Sequence, residues 1–210
     1  MASSCVVRVK TSVVKLQVQD VEKIVEEAVS AGTSMDEVMQ AVREGLEELQ
    51  EKYSDRVIGT PELFTGALVV EKALKTLRKS PMFKLEKLEG KVVIGTVASP
   101  HEAGKMLVRI ALEAAGFDVF DIGENRRPED FIKYAQEFNA DILASSCMVT
   151  YALPLQKKIE EELVQKGLKG RIRTLIGGTA TSPQWGKEIG ADGYGKDLID
   201  AVRVAKTLVS

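Results

Sequence analysis

The chain has 210 residues, and its 29 Lys and Arg against 31 Asp and Glu leave a net charge of -2, a balance that gives no electrostatic reason to expect a nucleic-acid partner. Its 44% hydrophobic content suffices for a packed core. One histidine (His101) and two distant cysteines (Cys5 and Cys147) cannot supply a Cys/His zinc site, and any imidazole chemistry must use His101.

The segment from Met1 to Leu16 has no continuous apolar run or cleavage site, and nothing approaches 18 consecutive apolar residues. No membrane partner is expected, and the expected location is the cytoplasm. A helix is expected from about Ser4 to Leu16, although its valines would equally suit a strand. Val21, Ile24, Val25, Ala28 and Val29 share one face at helical spacing, and Gly32 follows as a stop. Ser34 with Glu37 forms a capping-box pattern ahead of a helix that turns Met35, Val38, Met39, Val42, Leu46 and Leu49 inward. Pro61 suits the first turn of a further helix, Glu62 to Leu77.

Ser80-Pro81 ends this pattern, and 81–90 reads as a linker. Strand and helix then alternate. Strands are expected at Lys91–Ala98, Phe117–Ile122, Ala140–Ser146, Arg171–Ile176 and near Gly193-Tyr194. Helices are expected at Gly104–Ala115, Pro128–Phe138, Leu153–Gln165 and Leu198–Leu208. The expected α/β fold is an N-terminal four-helix bundle (1–80) followed by a flavodoxin-like, doubly wound five-stranded parallel sheet (91–210).

Such sheets bind ligands beyond the carboxyl ends of their strands. The segments there are 98–105, 146–150 and 177–182. The first is a near miss to a phosphate-binding loop, with Ser99 in place of glycine and Met106 in place of Ser or Thr. The third strand ends in Ser145-Ser146-Cys147 rather than the aspartate of a phosphorylated receiver, and no orienting acid is identifiable for a Ser145 or Cys147 nucleophile. Ser146 and Thr150 also suit helix caps, Gly177-Gly178 a tight turn, and Cys147 a small apolar filler.

In chain order, His101-x-x-Gly104, Ser146-x-Met148 with Thr150, Leu175-Ile-Gly-Gly-Thr-Ala-Thr181 and Ala191-Asp-Gly-Tyr-Gly195 resemble the cobalamin-binding fingerprint of corrinoid methyl-carrier proteins. Gly45, Tyr53 and Thr60-Pro-Glu-Leu63 resemble the helical cap domain of those proteins and of methionine synthase. The resemblance implies a cobalamin bound base-off, with its benzimidazole tail inserted in the α/β domain and His101 as lower axial ligand of cobalt. The implied binding residues are Ser99, Pro100, His101, Glu102, Ala103, Gly104, Ser146, Met148, Thr150, Gly177, Gly178, Thr179, Tyr194 and Gly195. It implies no catalysis by the chain alone, but methyl transfer between a substrate-specific methyltransferase and a methylcorrinoid:acceptor methyltransferase, with room for a reductive activase. A module for cobalamin storage, delivery or sensing is the alternative, and a mutase subunit a third reading.

Two departures stand out. Where the family's D-x-H places an acid, this chain has Ser99, in a loop one residue shorter and stiffened by Pro100. A serine orients an imidazole but brings no charge, which implies a cobalt–His101 bond that is weaker, or absent in some oxidation states. Gly59 stands where methionine synthase has an aromatic residue over cobalt, leaving Ile58 or Phe64 to shield the upper face.

Overall fold

The computed structural model describes residues 2–79 and 89–210, with backbone alone at positions 2 and 3. Apart from residues 89 and 90, the linker expected at 81–90 lies outside the described residues. The chain divides into two compact units, Met1–Glu86 and Lys87–Ser210.

The first unit holds four helices: α1 (Ala2–Val14), α2 (Val21–Ser30), α3 (Met35–Ser54) and α4 (Thr60–Lys79). The valine-rich α1 is a helix, not a strand. Val9 and Val13 are completely buried, and the buried Ser12 hydroxyl donates to the Val9 carbonyl at 2.7 Å. Packing of one apolar stripe thus outweighs β-branched propensity.

On α3, Val38, Met39, Val42, Leu46 and Leu49 are buried as their spacing predicts. Met35 corrects the expected face: in the first turn it is only half-buried, and Ala41 and Gly45 complete the buried stripe instead. The capping box forms, with the Glu37 N–H donating to Ser34 Oγ at 3.3 Å and the Ser34 N–H to Glu37 Oε2 at 2.8 Å. Ser34→Ala is expected to lower stability by about 1 kcal/mol. The check is a reduced urea midpoint at unchanged slope.

The second unit is a five-stranded parallel sheet in the order β2-β1-β3-β4-β5. Its strands are β1 (Lys91–Val97), β2 (Asp118–Arg126), β3 (Ile142–Ser146), β4 (Arg173–Gly177) and β5 (Gly193–Tyr194). Its helices are α5 (Ala103–Ala114), α6 (Pro128–Glu137), α7 (Leu153–Gln165), α8 (Pro183–Ile189) and α9 (Leu198–Val209). Period-2 alternation sorts the strand residues between two cores. Val93, Val97, Leu143 and Cys147 pack with Phe131, Ile132, Ile159 and Leu163 of α6 and α7. Val92, Ile94, Ile142 and Ala144 pack with Leu112, Ala201 and Ala205 of α5 and α9.

Two elements differ from expectation. The seven-residue α8 was not anticipated; Ser182 caps it by accepting the Trp185 N–H at 3.1 Å. Strand β2 does not stop at Ile122 but runs to Arg126, with register irregularities opposite Gly95. Among the described residues no helix is long and apolar enough to cross a membrane.

Candidate functional site

Strand order places the switch point between β1 and β3, which run side by side while their following connections diverge. The carboxyl ends of β1, β3, β4 and β5 bring the four expected segments to one end of the sheet.

The β1 segment is built around Ser99. This serine is completely buried, and its Oγ lies 2.6 Å from Nδ1 of the exposed His101. The His101 backbone N–H also donates to Ser99 Oγ, at 3.3 Å. The Nδ1–H tautomer satisfies both contacts, since a hydroxyl oxygen has two acceptor sites, and it leaves the Nε2 lone pair for a ligand. The extended β2 braces this loop. The Ala98 N–H donates to the Arg126 carbonyl at 3.0 Å, and the Asn125 N–H to the Ser99 carbonyl at 2.9 Å. Polar Glu124-Asn125 hid this extension from a periodicity reading. Pro100, Glu102 and Ala103 are exposed; Glu102 is the cap residue of α5, and its side chain makes no capping bond.

The β3 segment joins its neighbours on both sides. A Cβ on Gly104 would stand 4.0 Å from the sulfur of Met148, so these two segments nearly touch. The Thr179 hydroxyl donates to the Met148 carbonyl at 3.1 Å, and the Tyr151 hydroxyl to the Ala98 carbonyl at 3.3 Å. Ser146 ends β3 and is 9% exposed, whereas Thr150 is exposed and opens a short 3-10 turn (Thr150–Ala152). Neither caps α7, whose cap residue is Ala152.

At β4, the Cys147 N–H donates to the Gly177 carbonyl at 2.8 Å and the Ala180 N–H to the Cys147 carbonyl at 3.2 Å. Gly178 has φ +107°, and a Cβ there would lie 2.3 Å from the Cys147 carbonyl oxygen. Only glycine lets the β4 turn pass so close to β3. The Gly195 N–H donates to the Ile176 carbonyl at 2.9 Å, which brings half-buried Tyr194 and Gly195 to the same end.

Beneath the segments, buried Gln156 donates to Ser145 Oγ at 3.0 Å and to the Ser145 carbonyl at 3.1 Å, and accepts from Trp185 Nε1 at 2.9 Å. Neither Gln156 nor Trp185 was identifiable as a support, because its partners are distant in sequence. Gln156→Leu strands the indole N–H and is expected to lose about 1–3 kcal/mol, a difference calorimetry would register. Burial pushes the Cys147 thiol above its usual value, and Sγ lies 3.4 Å from the Val149 carbonyl. Ser145 is held by Gln156. Neither group is set up as a nucleophile.

Lys105, the lysine of the near-miss phosphate loop, is buried and pairs with Asp121, so it is spent within the fold. A cavity of about 320 Å³ bordered by Glu160, Val164, Lys169 and Ile189 lies away from these segments, towards the start of β4. Lys169 there meets Glu160 at 2.6 Å and Asp192 at 2.8 Å. Burial raises the Glu160 carboxyl; it also pushes Asp192 up, but hydrogen bonds from Lys169 and the Thr174 N–H prevail and hold Asp192 below its usual value. These charges answer one another and hold α7 against β4 and β5.

Among the described residues no three His, Cys, Asp or Glu side chains converge on a point that could hold a metal ion. The site offers one imidazole, oriented by Ser99, and a β4 turn that only glycine allows.

Comparison with known proteins points the same way. Residues 90–203 match the family described as the B12 binding domain. A corrinoid protein of Desulfitobacterium hafniense is 32% identical over 180 residues, covering 83% of each chain. A trimethylamine corrinoid protein of Methanosarcina barkeri is 30% identical over 197 residues, 90% of this chain and 89% of that one. A chain in the crystal structure of the methanol:cobalamin methyltransferase complex from Methanosarcina barkeri has the same fold. Its TM-score is 0.79 at 21% identity, with 98% of this chain and 80% of that chain covered.

Proposed function

We propose that this chain, which belongs to the B12-binding domain family, carries a methyl group on the cobalt of a bound corrinoid between partner methyltransferases. The observation that carries this reading is the Ser99–His101 pair at the carboxyl end of β1, which engages Nδ1 and leaves Nε2 at the same end of the sheet as the glycine turn of β4. The corrinoid supplies the chemistry, a cobalt able to accept and release a methyl group.

The chain's own residues bind and orient. His101 would hold the cobalt through Nε2 in place of the nucleotide base, and the corrinoid would then be bound base-off. Ser99 orients the ring, and Pro100, Glu102, Ala103 and Gly104 would complete the loop that meets the macrocycle. Ser146, Met148 and Thr150, with Gly177, Gly178, Thr179, Tyr194 and Gly195, would hold the nucleotide tail. Residues 1–80 are a cap domain in this reading, 81–90 a linker and 91–210 the corrinoid-binding domain.

A carrier needs a loading and an unloading enzyme. The methanol:cobalamin methyltransferase complex supports a substrate-specific methyltransferase as the first. A methylcorrinoid:acceptor methyltransferase and a reductive activase complete the proposed set, and the cytoplasm is the proposed setting. The test gives the reconstituted, reduced protein a methylamine- or methanol-specific methyltransferase with methyl-labelled substrate. Label is expected to co-elute with the protein and then pass to a thiol once the acceptor enzyme is added. Corrinoid retention with no label bound from any of these substrates would contradict a carrier role.

A further inference from the structure

Ala98 opens the His101 loop in a strained conformation. Its φ is +42°, in the left-handed region that an L-residue rarely adopts. A residue of this kind persists only where its surroundings hold it, and such strain gathers at functional sites. Here both of its backbone polar groups are held. The N–H donates to the Arg126 carbonyl at 3.0 Å, and the carbonyl accepts the Tyr151 hydroxyl at 3.3 Å. Strand β1 runs between β2 and β3, so the two bonds reach the loop from opposite sides.

The two sides are built differently. On the β2 side the ties are backbone, with the Asn125 N–H also donating to the Ser99 carbonyl at 2.9 Å. From the β3 side the tie to Ala98 is a side chain that bridges 53 positions of sequence. The base of that side chain is fixed. Tyr151 is the middle residue of the Thr150–Ala152 turn, Ala152 is completely buried, and its N–H donates to the Val149 carbonyl at 3.1 Å. Tyr151 itself is 68% exposed, so core packing does not decide where its ring lies. A phenol in that setting is served equally well by water, yet its tip is docked on the carboxyl end of β1.

We infer that Tyr151 is a positioning residue for the axial imidazole: its hydroxyl holds the Ala98 turn, and that turn sets where Ser99 and His101 stand. The inference rests on the corrinoid reading above and needs no contact between Tyr151 and the corrinoid. Ala98 is joined directly to Ser99, whose Oγ lies 2.6 Å from Nδ1 of His101 and accepts the His101 N–H at 3.3 Å. Hydrogen bonds weaken steeply with distance and angle, so an Ala98 that relaxes from its strained conformation carries Ser99 away from the ring. The buried Thr96 hydroxyl, donating to the His101 carbonyl at 3.4 Å, keeps the backbone near but leaves the imidazole free to turn.

The single histidine of the chain makes the test direct, because nuclear magnetic resonance of the imidazole nitrogens reports one ring. In the corrinoid-free full chain, Ser99→Ala gives the resonances of a ring released from its partner. Tyr151→Phe keeps the ring and loses the hydroxyl. It is expected to move the Nδ1 resonance towards the Ser99→Ala position while thermal melting stays close to the wild type. In the cobalt(II)-loaded protein the same variant is expected to weaken the nitrogen coupling from His101 and to lower corrinoid affinity about tenfold, as loss of a group that orients a metal ligand does. A role in stability alone would lower the melting temperature and leave the resonances of the folded chain where they were. Imidazole resonances in Tyr151→Phe that coincide with the wild type would therefore overturn the inference, as would unaltered coupling and affinity in the loaded variant. A wild-type protein that binds no corrinoid, or shows no nitrogen coupling, would overturn the ligand reading on which the inference rests, and the corrinoid-free resonances tell that failure from this one.

Discussion

His101→Ala is expected to abolish the nitrogen coupling in the electron paramagnetic resonance spectrum of the cobalt(II)-loaded protein. The chain has one imidazole, and the structure has already assigned its Nδ1, which lies 2.6 Å from the buried Ser99 hydroxyl. Nε2 alone remains for a metal. Ser99→Ala removes the group that fixes the ring, and loss of such a supporting partner lowers metal affinity or activity by about 10–100-fold. A serine also explains why the wild-type coupling should be weak. It holds the ring as a carboxylate would, but without the negative charge that makes Nε2 a stronger donor. The braces on this loop, from Arg126 and Asn125, do not involve the His101 side chain, so the alanine variant should fold normally. Coupling that persists unchanged in His101→Ala would remove this residue from the cobalt site.

Gly178→Ala is expected to have the largest effect on stability. The left-handed conformation at φ +107° costs an L-residue about 1–2 kcal/mol. The added methyl would also stand 2.3 Å from the Cys147 carbonyl oxygen, a backbone atom that cannot swing away. Overpacking of this kind adds about 1–3 kcal/mol, for about 2–5 kcal/mol in all. The same methyl displaces the β4 turn that borders the proposed tail slot, so corrinoid retention should fall with stability. Gly170→Ala is the matched control. Its φ is +91°, with nothing within 4 Å of the added Cβ, so it carries the conformational strain alone. Urea unfolding of the two corrinoid-free variants separates the terms, and equal losses would refute the close approach of β4 to β3.

What the sequence made legible follows from which residues repeat locally. The βαβ alternation, the capping box at Ser34 and the four segments at the strand ends are short-range patterns, and each formed where expected. Helix α8 was hidden because seven residues are too few for an apolar period; its only local cues were Ser182 and Pro183. The reach of β2 to Arg126 was hidden because its last residues are polar and pair across an irregular register. The sequence showed that the loop holding Lys105 only nearly matches a phosphate loop, and the structure adds its partner Asp121, sixteen residues on. The Ser145–Gln156–Trp185 chain depends on three elements meeting, which no local pattern encodes. Ser99 shows the reverse. Its position two residues before His101 marked it as a departure from the family, and only the structure shows that it is fully buried and takes up Nδ1.

The most direct measurement is anaerobic reconstitution of the full chain with cobalamin, followed by desalting and absorption spectroscopy. The account predicts an equimolar corrinoid retained with the protein, with the spectrum of a cobalamin whose own base has left the cobalt. Corrinoid that elutes entirely with the small molecules, from a chain that is folded by circular dichroism, would contradict it.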